Sequence, residues 1–351
     1  MPLFGGMRSR GRGDDRYSVF RTGEGEGAMD SRLRNRLNEI LNRAFQEDWG
    51  DESFSLKKAH VCAELSSIVY EDVQEYELKK ASRIHLFASD TYRNRIKSSR
   101  AVSILNSLEE GNFDARFFVI RGRYALILGT CFRDVVILAV RGTVFRRLWD
   151  WKANVDAEKY YIRGSANFHP FESWVAGFDD PFFHRGFFES IVPQFASIAD
   201  KIKDCMASWS ELKIAWTGHS LGGAMAAIGN AFYNSPIARI CFPEEMPGSV
   251  VGAYTFGMPR YCGLGGICCF AGPHHIYTKR DIVPTVPLRR MGFVDCCREY
   301  EITDTGIVAP SERTDMFGAA GHIPRLLSSF KAHSIEGYAD FIAKALNVSR
   351  P

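Results

Sequence analysis

The sequence predicts an α/β fold with a mainly parallel central sheet flanked by helices. Three observations carry that expectation. Asp134-Val135-Val136-Ile137-Leu138-Ala139-Val140 is apolar nearly throughout, as a central strand covered on both faces requires. Leu212–Thr217 is a second short apolar run, and from Leu221 the apolar residues recur at helical spacing through Met225, Ile228 and Phe232. Further apolar runs at Val250–Phe256 and His275–Tyr277 are each followed by loop signals, with helical patterns between several of the strands.

Between the second strand and its helix sits Gly218-His219-Ser220-Leu221-Gly222, a G-x-S-x-G pattern. At a strand-to-helix turn this pattern forms a nucleophile elbow. Gly218 and Gly222 give room to the crowded backbone, Ser220 is held with its hydroxyl exposed, and the helix points its free N–H groups at the reaction centre. His219 points away from Ser220 and reads as a packing residue behind the site.

Composition bounds the rest. The 351 residues are 46% hydrophobic and 24% charged, with a net charge of +3 that gives no reason to expect a nucleic-acid partner. No apolar run is long enough to span a bilayer, the first residues lack the apolar core of a secretory signal, and position 2 is not the glycine that myristoylation needs. Nine cysteines, an odd number, favour reduced thiols and a cytoplasmic setting. Cys268-Cys269 and Cys296-Cys297, with His274 and His275 between them, lack the C-x₂₋₄-C spacing of structural zinc, so no metal site is expected. Small core or surface thiols are the first reading, with palmitoylation as the alternative.

In chain order, residues 1–29 read as a disordered arm rich in Gly, Arg and Asp. Residues 30–50 hold a basic amphipathic helix, capped by Asp30 or Ser31 and running to about Phe45. Leu33, Leu37, Ile40, Leu41 and Phe45 form its stripe, with Arg32, Arg34, Arg36 and Arg43 off it. A docked structural helix and a membrane-surface helix both fit that pattern. Residues 51–351 form the main domain. It opens with a helix from Leu56 to about Tyr70, followed by a helical, polar stretch at 80–112. A hairpin follows, with strands from Ala115 and Tyr124 about the turn Arg121-Gly122-Arg123. Residues 303–322 read as a long loop.

A serine hydroxyl needs an adjacent base, and the base an orienting carboxylate; on α/β-hydrolase sheets these follow the serine in the order Asp or Glu, then His. Asp281, between the strand at His275–Tyr277 and the rigid Ile282-Val283-Pro284, fits the acid. His333, at the start of a C-terminal amphipathic helix, is the first choice for the base, with His322 as its rival. Oxyanion donors are expected from the Leu221 N–H and from Thr143, in the loop after the earlier central strand.

Arg141-Gly142-Thr143, Asp150-Trp151, His184-Arg185-Gly186-Phe187, the Gly218–Gly223 elbow, Phe256-Gly257-Met258-Pro259-Arg260 and Asp281-Ile282-Val283-Pro284 occur in this order. The set resembles the class 3 (fungal-type) lipase family from about Leu56 onward. The resemblance implies an α/β-hydrolase with a triad of Ser220, Asp281 and His333, carboxylic ester hydrolysis on acylglycerols or related lipids, no cofactor, and a lid between the Arg-Gly-Thr and Asp-Trp motifs. In that segment Phe145, Leu148 and Trp149 fall at helical spacing, with Arg146 and Arg147 off their face. A lipid ester is then the expected ligand, met at a membrane or lipid-droplet surface. The rival expectations are a lipase-like binding or scaffold protein without turnover, and a phospholipase or galactolipase. The sequence departs from the extracellular members in lacking their evident disulfide pattern and signal peptide. Residues 1–50 and the Cys-rich 262–297 stretch stand outside the motif pattern.

Overall fold

The structure is a computed structural model that describes residues 31–81, 115–122, 125–141, 158–162, 181–205, 211–233, 235, 238, 246–303, 306–308 and 332–347. Its centre is a sheet of eight strands: β1 (Ala115–Arg121), β2 (Leu126–Phe132), β3 (Val135–Arg141), β6 (Lys213–His219), β7 (Ser249–Phe256), β8 (His274–Tyr277), β9 (Glu299–Thr303) and β10 (Gly306–Val308), neighbours in that order. From β3 to β9 every neighbouring pair is parallel, while β1–β2, β2–β3 and β9–β10 are antiparallel. A separate two-stranded ribbon joins β4 (Lys159–Tyr161) to β5 (Phe182–His184).

The period-2 geometry of β3 divides its side chains between two cores. Val136, Leu138 and Val140 face a layer built with α3 (Arg185–Ile191), α4 (Phe195–Cys205) and α5 (Leu221–Phe232). Val135, Ile137 and Ala139 face a second layer built with α1 (Ser31–Gln46), α2 (Leu56–Ala81) and α7 (Ile335–Ala345). A short helix, α6 (Leu264–Cys269), follows β7. This is the α/β arrangement that the apolar runs predict, helices on both faces of a mainly parallel sheet.

Several boundaries differ from the sequence reading. The α2 helix continues to Ala81, past the expected end at Tyr70. The second hairpin strand begins at Leu126, two residues late, because the Gly122 N–H closes the turn onto the Ala125 carbonyl at 2.8 Å. Residues 306–308, expected to be loop, form β10, which folds back on β9 through Gly306 at φ 136°. A three-residue edge strand leaves too short an alternation to see in sequence. The arm at 1–29 and the stretch 82–112 lie outside the described residues.

Of the two readings of α1, the docked one is found. Leu37, Ile40, Leu41 and Ala44 are buried in the layer shared with α2 and α7. Arg36 anchors it: its Nε and Nη2 donate to Glu64 Oε2 at 3.0 and 2.6 Å, and Nη2 also to Ser67 Oγ at 3.0 Å. Glu64 is fully buried, so its charge depends on that pairing. Arg36→Ala is expected to lower unfolding stability by about 3 kcal/mol, the usual effect of stranding a buried charge. Arg36→Leu combined with Glu64→Leu should recover most of the loss. Urea unfolding of the three proteins checks this, and equal loss in the single and double variants would refute the buried-charge account.

Candidate active site

β6 delivers His219 and Ser220 to the point where the chain turns into α5. Ser220 sits at φ 57°, ψ −131°, a strained conformation for a residue with a side chain. The turn closes because Gly218 has no Cβ: one there would lie 2.4 Å from the Gly222 carbonyl oxygen. The second crowded position is Gly223, where a Cβ would lie 2.8 Å from Met258 Cβ, so Gly222 contributes its carbonyl to the contact and Gly223 the clearance. The Ser220 N–H is held by the Phe256 carbonyl at 3.0 Å, tying the elbow to β7.

Asp281 lies on the connection after β8, and His333 just before α7. The structure brings both to Ser220. A carboxylate only accepts, so His333 Nδ1–H donates to Asp281 Oδ2 at 2.7 Å, and Nε2 is left to accept from Ser220 Oγ at 2.8 Å. All three side chains are buried. The other carboxylate oxygen, Oδ1, accepts the Val283 N–H at 2.9 Å. Leu221 is the first residue of α5, so its N–H has no acceptor inside the helix and stands beside the nucleophile. Thr143, His322 and the segment of Phe145, Leu148 and Trp149 lie outside the described residues.

Two features of the site, the Tyr338 hydroxyl and the close approach of Gly257, escaped sequence reasoning, while His219 packs behind the site as expected. The Tyr338 hydroxyl donates to Asp281 Oδ2 at 2.8 Å, the same oxygen that holds His333. That hydroxyl also accepts the Thr278 N–H at 3.3 Å, so its direction is fixed. Gly257, at φ 52°, passes so close that a Cβ would fall 2.5 Å from Asp281 Oδ2. His219 packs its ring 4.5 Å from that of His333 with 36° between planes, and 5.6 Å from Tyr70, whose hydroxyl donates to the His219 carbonyl at 3.1 Å. The available signal was spacing: Tyr338 falls on the same face of α7 as the buried Ile335 and Ile342.

Arg260 stiffens the connection that carries Asp281. Its guanidinium is buried, pairs with Asp295 at 2.6 Å, and donates to the Thr285 and Pro287 carbonyls at 2.6 and 2.8 Å. Among the described residues no group of three or more His, Cys, Asp or Glu side chains is arranged to hold a metal ion.

Fold and site together give an α/β-hydrolase-like arrangement: a mainly parallel sheet, a strained serine elbow, and an acid and a histidine that follow the serine in chain order. Residues 137–291 match the family model described as lipase (class 3). The resemblance to the class 3 lipase family is thereby shown, over a segment that includes Ser220, Leu221 and Asp281 and stops short of His333. A lipase of Rhizomucor miehei is 31% identical over 129 residues, 34% of this chain and 33% of that protein. The chain therefore matches about a third of the length of that relative. The solved lipase of Rhizopus microsporus var. chinensis aligns over 86% of each chain at 16% identity and a TM-score of 0.44. A lipase from Yarrowia lipolytica aligns over 63% of this chain and 79% of its own at 18% identity, with a TM-score of 0.43.

Burial also sets a pH dependence. It pushes His184, packed on Phe187 at 4.3 Å between ring centroids, down from 6.5 to about 4. It pushes His219 well below its ordinary value, with the neighbouring His333 adding to the shift, and lowers His274 as well. Below 6.5 the unfolded chain takes up these protons while the folded one does not, so stability is lost as the pH falls from there toward the folded values. Urea midpoints should drop between about pH 7 and pH 5. His184→Phe, which keeps the stacked ring, should flatten the drop; an unchanged slope would exclude His184 as a source.

Proposed function

We propose that this chain is a serine hydrolase that cleaves carboxylic esters of acylglycerols or related lipids. The observation that carries the reading is the unbroken line Ser220 Oγ, His333 Nε2, His333 Nδ1, Asp281 Oδ2, with both hydrogen bonds under 3 Å. Ser220 Oγ attacks the ester carbonyl carbon while His333 Nε2 takes its proton. Asp281, with one oxygen shared between His333 and Tyr338, orients the imidazole and stabilises its charge. The tetrahedral oxyanion meets the Leu221 N–H, and Thr143 is the second donor in this proposal. His333 returns the proton to the departing alcohol, leaving an acyl-Ser220. Water, deprotonated by His333, attacks that carbonyl, and collapse frees the fatty acid and restores the serine. No cofactor enters the scheme. The same reading has the protein meet its substrate from the cytoplasm, at a membrane or lipid-droplet surface.

Ser220→Ala and His333→Ala should each lower kcat on a soluble short-chain ester by about 10⁴-fold, since residues of such a unit fail together. His322→Ala should keep most activity. Tyr338→Phe should cost about tenfold in kcat with KM unchanged, as expected for one hydrogen bond to a charged group. Fluorophosphonate labelling compared across the same proteins reports the nucleophile directly. Labelling that survives Ser220→Ala would remove this site from the mechanism.

The segment holding Phe145, Leu148 and Trp149 is our candidate for a lid. Burying such side chains is worth roughly 1.5–3 kcal/mol each, enough for a lipid surface to shift an open–closed balance by orders of magnitude. Activity should therefore rise steeply once substrate forms an emulsion or vesicle. Phe145→Ser with Trp149→Ser should erase that rise and spare the soluble ester; equal loss on both substrates would reject a lid here.

A further inference from the structure

Five cysteines gather on one flank of the fold, where the ester chemistry makes no use of them. Cys262, buried after β7, anchors the group: its carbonyl accepts the Val294 N–H at 3.1 Å, which lays the segment leading to Cys296 and Cys297 beside it. On its other side α6 passes so close that a Cβ at Gly266 would lie 3.2 Å from Cys262 Sγ. That helix ends in Cys268 and Cys269. The two Cys-Cys pairs, distant in sequence, thus flank one buried thiol. Cys268 and Cys297 are the exposed members, while Cys269 and Cys296 are half-buried.

We propose that Cys268 and Cys297 form a thiol–disulfide exchange site that reacts with a small disulfide of the glutathione class. Exposure lets the reagent in, and the shared contact with Cys262 keeps the two segments side by side. The Cys268 thiolate attacks one sulfur of glutathione disulfide, forming a mixed disulfide and expelling a glutathione thiolate. The Cys297 thiolate then attacks Cys268 Sγ, closing the protein disulfide and expelling the second glutathione thiolate. Two protein thiols are oxidised, one external disulfide is reduced, and the two protons end on the two glutathione molecules. Burial, then the neighbouring Cys268, raises the Cys297 thiol, against the opposing pull of Arg298. The closing step therefore quickens as pH rises, because only the thiolate attacks. The ring so formed encloses β8 and the connection that carries Asp281.

The test uses the full chain, folded and reduced, incubated with glutathione disulfide and then examined by intact mass and by non-reducing peptide mapping. The expected product has lost two hydrogens and yields one cross-linked pair of peptides, containing Cys268 and Cys297. Cys268→Ser or Cys297→Ser should stop at a glutathione adduct. A Cys269→Ser, Cys296→Ser double variant should still close the link, which separates the proposed pair from bonds between adjacent cysteines. A glutathione adduct without closure in the parent, no reaction, or a link through any other cysteine would overturn the proposal. The readout is covalent and independent of ester hydrolysis, so it stands or falls apart from the function proposed above.

Discussion

The site depends on a buried carboxylate. Asp281 is removed from water, and a charge there persists only if its oxygens are satisfied by donors of fixed direction. The Val283 N–H takes one oxygen; His333 and Tyr338 share the other. Those donors come from the Asp281 turn itself and from either end of one short C-terminal stretch. Much of the surrounding architecture serves to bring that stretch home: Gly257 leaves the clearance, Arg260 braces the connection, and α7 buries Ile335, Tyr338 and Ile342 against the sheet.

Strain is placed at the elbow and balanced nearby. Ser220 keeps an unfavourable backbone conformation because β6 is locked on both edges by parallel neighbours and α5 is wholly buried. The polar atoms behind the turn are also engaged. Thr217 donates to the Tyr254 carbonyl at 2.9 Å and meets Ser66 at 3.0 Å, and Tyr70 holds the His219 carbonyl. Thus α2 grips the back of the elbow. Neither ring nitrogen of His219 reaches hydrogen-bond geometry with a described residue, and the ring serves as a packed wall behind His333.

The parts of this arrangement written in local pattern were legible in the sequence. A nearly unbroken apolar run gives β3, and G-x-S-x-G between an apolar run and a small-residue helix gives the elbow. Asp281 and His333 followed from chain order and resemblance, and the structure brings them to Ser220. What stayed hidden was pairing at long range. Nothing local links Tyr338 to Asp281, 57 residues apart, or Arg36 to Glu64 across two helices. The ribbon of β4 and β5, the strand β9 and the edge strand β10 were missed for a different reason. They are short, and their pairing is decided by where neighbouring segments place them rather than by their own alternation.

The separation between Ser220 and His333 has a consequence for synthesis. The two lie 113 residues apart, and His333 follows every strand of the sheet. A ribosome-bound chain ending before residue 333 carries Ser220 and Asp281 but has neither the imidazole that joins them nor the Tyr338 hydroxyl that holds Asp281 Oδ2. The line of Ser220, His333 and Asp281 is completed only when α7 docks beside α2.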